Sequence, residues 1–205
     1  MNDNREQLTQ QIIDAGRFLY GRGWSPATSS NYSARLDEQR ALLTVSGKHK
    51  GQLGFDDVLV TDLAGNSLEP GEKPSAETLL HTQLYAWNPA IGAVLHTHAV
   101  NATGLSRLVR GDRLVLQDYE LQKAFTGVTT HEGQVEVPIF DNDQDIARLA
   151  SRVQPWLEAH PHCPGYLIRG HGLYTWGARM SDALRQVEAF EFLFECELKV
   201  LSLSR

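Results

Sequence analysis

The stretch Ile91-Gly92-Ala93-Val94-Leu95-His96-Thr97-His98 decides how the rest of the chain is read. Apolar side chains run through it almost without alternation and then give way to two histidines. An apolar run this short predicts a strand buried on both faces, so helices must cover both sides of its sheet. Residues i and i+2 of a strand point the same way, which puts His96 and His98 on one face at the strand's end. Two imidazoles so placed can share one metal ion, or can simply be polar residues closing a strand.

Working outward, helical and extended patterns alternate from end to end, the signature of one α/β domain. Leu8, Ile12, Ala15 and Leu19 recur at spacings of three and four and predict a helix over residues 5–20, ended by Gly21 and Gly23. Residues 31–36 and 41–45 read as a hairpin around Asp37-Glu38-Gln39-Arg40. Residues 58–61 read as a short strand. Pro74-Ser75 opens a helix to Trp87, with Ser75 as its N-cap. A short helix follows over 99–109, a strand over 135–140, and a helix over 143–159 disturbed at Pro155. Residues 166–169 and 173–176 form a second hairpin across Gly170-His171-Gly172. Ser181 caps a long last helix, whose core stripe is Leu184, Val187, Phe190, Phe194, Leu198 and Leu201. Phe192 and Leu193 fall off that stripe and point to cover by a partner subunit.

The chain has 205 residues, enough to bury a core without staples. Nineteen Lys and Arg against 25 Asp and Glu leave a net charge of −6. Without a basic stripe, neither nucleic acid nor an anionic membrane is an expected partner. No apolar run approaches the roughly 20 residues that span a bilayer, and the first residues, MNDNREQLTQ, are polar. Cys163 and Cys196 form no CxxC, so no disulfide framework is expected and a cytoplasmic location fits.

Histidine placement carries the chemistry. His171 lies between two glycines, which permit a tight turn and a close approach. Three histidines with one open position are the composition of a catalytic zinc site. His49, His81, His131, His160 and His162 read as surface or capping residues. Thr44-Val45-Ser46-Gly47-Lys48-His49-Lys50 and Ser29-Ser30-Asn31 offer the hydroxyls, free N–H groups and lysine that an anion needs, and Ser75 adds a donor at a helix start. Glu77 reads equally as a helix-terminal acid and Glu120 as a surface acid.

Taken in order, Asn31, Ser46-Gly47, Pro74-Ser75-Ala76-Glu77, His96-Thr97-His98 and His171 resemble the class II aldolase family, the sugar-phosphate aldolases and epimerases. The resemblance runs from the first helix to the last. Gly21-Arg22-Gly23-Trp24-Ser25-Pro26 through Ser33, and Asp118-Tyr119-Glu120-Leu121-Gln122-Lys123-Ala124, are similar to the dehydratases of that family. It implies one domain over residues 1–205, a three-layer α/β/α sandwich around a mixed, mostly antiparallel sheet. It implies a homotetramer with active sites near subunit interfaces and one Zn²⁺ per subunit on His96, His98 and His171. Asn31, Ser46, Gly47, Lys50 and Ser75 would surround the phosphate of a small sugar-phosphate substrate. Glu120 would be the acid/base, and Glu77 falls where the aldolases keep their catalytic glutamate. The implied reaction removes the C3 proton of a ketose 1-phosphate and expels the C4 hydroxyl as water. The alternatives are an aldolase or epimerase, and a non-catalytic binding module like the adducin head. The family's aldolases use tyrosines near the C-terminus, whereas the last tyrosine here is Tyr174.

Overall fold

The computed structural model describes residues 2–71 and 73–203. Five helices, α1 (Asn2–Gly21), α2 (Thr78–Trp87), α3 (Val100–Leu108), α4 (Ile146–Ala159) and α5 (Met180–Leu203), pack on one sheet. Its strands are β1 (Asn31–Arg35), β2 (Arg40–Thr44), β3 (Val58–Asp62), β4 (Ala93–Thr97), β5 (Arg113–Gln117), β6 (Gln134–Phe140), β7 (Gly165–Ile168) and β8 (Gly172–Gly177). They lie in the order β3-β2-β1-β4-β8-β7-β6-β5. Every pairing is antiparallel except β6 with β7. That single parallel step requires a crossover, which α4 supplies.

The period-2 geometry of the strands sorts the side chains into two cores. On one face, α1, α3 and α5 cover Tyr32, Ala34, Leu95, Leu167 and Leu173. On the other, α2 and α4 cover Val94, Tyr166, Ile168, Tyr174 and Trp176. This is the expected three-layer α/β/α sandwich with a mixed, mostly antiparallel sheet. β4 is buried at every position, as its apolar run requires. At roughly 1.5–3 kcal/mol for each large apolar side chain buried, Leu95 and Val94 anchor β4 in the two cores.

Several sequence expectations need correction. α2 begins at Thr78 with Glu77 at its cap position, so Ser75 is not the N-cap; its Oγ accepts from Glu77 N at 3.3 Å and its carbonyl accepts from Thr78 N at 3.1 Å. α4 runs through Pro155 unbroken, because the ring sits on an exposed part of the last turns. α5 starts at Met180, ahead of Ser181. Leu193 lies in the core with Phe190 and Phe194, whereas Phe192 is 54% exposed. β5 was not expected: its alternate residues Leu114 and Leu116 are buried at the sheet edge.

Candidate active site

Register builds the site. Asn31 of β1 pairs with His96 of β4, and His96 pairs with Tyr174 of β8, giving one row on the face covered by α2. The His96 ring stacks on Tyr174 with centroids 4.1 Å apart. His96 Nδ1 donates to the Leu173 carbonyl at 2.9 Å, which leaves Nε2 as a bare acceptor. Gly172 permits this closeness, since a Cβ there would lie 2.0 Å from the Thr97 carbonyl oxygen. Gly170, at φ +67°, turns the β7–β8 hairpin so that His171 faces His96.

The three Nε2 atoms converge: His96 to His98 2.8 Å, His98 to His171 3.1 Å, His96 to His171 3.3 Å. Ligands about 2.05 Å from a tetrahedral zinc stand about 3.3 Å apart. Burial holds His96 neutral, well below the usual imidazole range, with His98 and His171 adding to the effect. Burial, then His171, pulls His98 down to about 4. Three ring nitrogens aimed at one point, two of them on rings whose pKa burial lowers, crowd their donor atoms in an arrangement that a cation relieves. The donor set therefore fits a divalent metal.

Glu77 shares this centre. Its Oε2 accepts from Asn31 Nδ2 and from the Tyr174 hydroxyl, both at 2.8 Å, and lies 3.3 Å from His96 Nε2. Its Oε1 is 3.0 Å from His171 Nε2. Burial pushes this carboxyl up, but the adjoining His96 and His171 rings and the Asn31 amide outweigh it and hold it well below the usual carboxylate range.

A cavity of about 190 Å³ opens beside the histidines. Asn31, Ser46, Gly47, Lys50 and Ser75 all line it, together with Glu77 and His98. Lys50 is buried, its Nζ donating to the carbonyls of Lys48 (2.6 Å) and Thr28 (3.3 Å). Burial lowers its pKa to about 8 despite the nearby Asp57. Lys48 pairs instead with Asp57 at 2.8 Å.

Glu120 lies elsewhere. It begins a short 3-10 turn after Asp118, which holds φ +63°. Its carboxylate is exposed, bonds Lys123, and stands 3.6 Å from His131 Nδ1. The Lys123 bond keeps its pKa below the usual value. Among the described residues it shares neither a hydrogen bond nor a cavity wall with the histidines.

The description Class II Aldolase and Adducin N-terminal domain matches residues 10–198. The chain belongs to this family. A Pseudomonas aeruginosa protein named methylthioribulose-1-phosphate dehydratase is 98% identical over all 205 residues of both chains. A Pseudomonas fluorescens protein of the same name is 80% identical over 202 residues, 98% of this chain and 97% of its own. Among solved structures, an L-fuculose 1-phosphate aldolase superposes with TM-score 0.80 at 22% identity, covering 97% of this chain and 88% of that one. The L-fuculose-1-phosphate aldolase of Thermus thermophilus gives 0.75 at 25% identity, covering 95% of each. These class II aldolase structures share the sandwich described above.

Sequence reading missed Tyr174, which stacks on His96 and donates to Glu77, and it missed His81. His81 is fully buried rather than a surface or capping residue, and it contacts Asn31. The available signal was its spacing: Glu77, His81 and Tyr85 fall at i, i+4 and i+8, one face of a helix.

Proposed function

We infer that the chain is a methylthioribulose-1-phosphate dehydratase, a lyase of the class II aldolase family that removes water from a ketose phosphate. The near-identity to full-length relatives of that name carries this reading. It is supported by three converging histidines, an adjoining ionised glutamate and a cavity walled by anion-binding groups. The substrate class is a sugar phosphate. The product is the 2,3-diketo phosphate plus water, a step of methionine salvage. No described helix is long and apolar enough to cross a membrane, and both cysteines are free, which fits a cytoplasmic enzyme.

The residues divide the work. Ser46, Gly47, Lys50 and Ser75 would hold the phosphate, with Asn31 at the back of the same cavity. Glu77 and His98 line that cavity too, so a phosphate held there brings the carbonyl end of the sugar to the histidines. His96, His98 and His171 would hold one Zn²⁺, which when bound would supply Lewis acidity to the substrate's carbonyl and adjacent hydroxyl. A carboxylate takes the C3 proton, and a general acid returns a proton to the departing C4 hydroxyl. Glu120 is the acid/base in this reading. Because it stands exposed and apart from the histidines of its own chain, it would act in the site of a neighbouring copy within a homotetramer. Glu77, anionic beside the rings, is the second proton-accepting group.

The deciding assay supplies 5-methylthioribulose 1-phosphate and follows the ultraviolet absorbance of the diketone. Release of a two- or three-carbon fragment instead would identify an aldolase. Glu120→Gln should keep metal and substrate affinity and lose about 10²–10⁴ in kcat. A mild Glu120→Gln beside a dead Glu77→Gln would place the chemistry with the aldolases. Mixing two inactive variants, His98→Ala and Glu120→Gln, under conditions that reassemble the oligomer should restore part of the activity. No recovery would place Glu120 in its own chain's site.

A further inference from the structure

The Asn31 amide fixes the polarities behind Glu77, because its nitrogen can only donate a hydrogen bond and its oxygen can only accept one. Asn31 turns its amide nitrogen toward Glu77 Oε2 (2.8 Å), which also accepts from the Tyr174 hydroxyl, and the same nitrogen reaches Ser75 Oγ at 3.1 Å. Asn31 Oδ1 therefore faces His81 Nε2, with which it is in hydrogen-bond contact. An amide oxygen accepts, so His81 Nε2 must carry the proton. The ring is wholly buried and neutral, its pKa driven down to about 3 by burial against the opposing pull of Glu77. His81 Nδ1 is then an acceptor, and Ser33 Oγ donates to it at 2.7 Å. Tyr85 OH, 2.8 Å from Ser33 Oγ, donates in turn. All four groups are buried, and every member has a partner, the condition under which a buried polar chain rigidifies its surroundings.

We propose that His81 is a positioning residue of this active site: its Nε2–H locks the Asn31 amide in the one orientation that donates to both Glu77 and Ser75. This rests on the dehydratase reading and deepens it. Without that donor the amide is free to turn half a revolution. Its oxygen would then meet the Glu77 carboxylate, two acceptors face to face, and Glu77 would shift from the histidines while Ser75 lost its link to the centre. The proposed chain runs Tyr85, Ser33, His81, Asn31, and ends at the proton-accepting carboxylate beside the rings.

Two isosteric replacements separate this role from mere filling of space. In His81→Gln the new amide nitrogen would sit near the Nε2 position, and in His81→Asn near Nδ1. His81→Asn should lower kcat by about 10–100-fold, the usual cost of disturbing a partner behind a metal-site group. KM should change less, and zinc content not at all. His81→Gln should recover most of the loss. Equal activity in the two variants, or a loss that follows zinc content, would overturn the proposal. If neither variant folds, nitrogen-15 NMR of the unmodified enzyme labelled at histidine decides: protonated Nε2 with bare Nδ1 supports the lock, and protonated Nδ1 refutes it. Failure of the unmodified enzyme to form the diketone would instead remove the dehydratase reading, and the tautomer would still be measurable.

Discussion

Lys50 holds its ammonium on two backbone carbonyls inside the cavity wall, with little water to share the charge. With its pKa lowered to about 8, it is a cation at neutral pH and loses its proton within the working range of an assay. Anion binding needs the cation, which exists below that pKa. The expected outcome is a kcat/KM that falls as pH rises through about 8, since kcat/KM reports the free enzyme. Lys50→Met should lower kcat/KM and abolish that alkaline limb. At this scale the sequence was informative where spacing forces proximity. His96 lies in β4 and His98 one residue past its end, so their i, i+2 spacing already suggests that they meet. His81 escaped because its partners, Asn31 and Ser33, lie 50 and 48 residues away and are brought in only by the register of β1.

Elements carry the next level of consequence. β8 can press on β4 only because residue 172 has no side chain. A Cβ at Gly172 would meet backbone, 2.0 Å from the Thr97 oxygen, and backbone cannot step aside cheaply. Gly172→Ala should destabilise the fold by about 1–3 kcal/mol or more in urea unfolding and reduce metal content, because His96 and His171 would be parted. Pro155 predicts the opposite sign. It removes a hydrogen bond to the Ser151 carbonyl within α4 and is exposed. Pro155→Ala should therefore stabilise the protein by about 1–3 kcal/mol, read as a higher urea midpoint. The alternating and apolar patterns made most elements legible. β5 was not, since Leu114-Val115-Leu116 is a three-residue apolar run whose meaning depends on pairing with β6. Pro155 misled because an exposed proline near a helix end need not break it.

Across the whole molecule, the groups assigned to catalysis in the proposed function lie in two places. The histidines and the anion cavity sit together on one sheet face, whereas Glu120 stands on an exposed turn. Leu121 beside it and Phe192 on α5 line a common groove of about 480 Å³. Phe192 is 54% exposed and Val100, at the start of α3, is 79% exposed. A second copy seated on this groove would, in the proposed function, be the one that brings Glu120 to a neighbouring site. Phe192→Asp should shift the protein to smaller species in sedimentation and lower activity, with the circular dichroism of the fold retained. An unchanged assembly would move the interface to another face. A single-chain pattern would not reveal such a division, because residues that met across copies would have no fixed spacing along one.

The distance between the histidines along the chain also sets a schedule. His98 and His171 are 73 residues apart. At about 5–20 residues per second of synthesis, the third imidazole emerges some 4–15 s after the second. Until the β7–β8 hairpin has docked against β4, a nascent chain offers only a two-pronged grip on any ion it meets. Tight loading must then be a late event that follows closure of the sheet, and an ion caught by all three rings ties the middle of the polypeptide to its final hairpin. Removing it with a chelator should release that tie and lower the melting temperature, as cutting a long-range cross-link would.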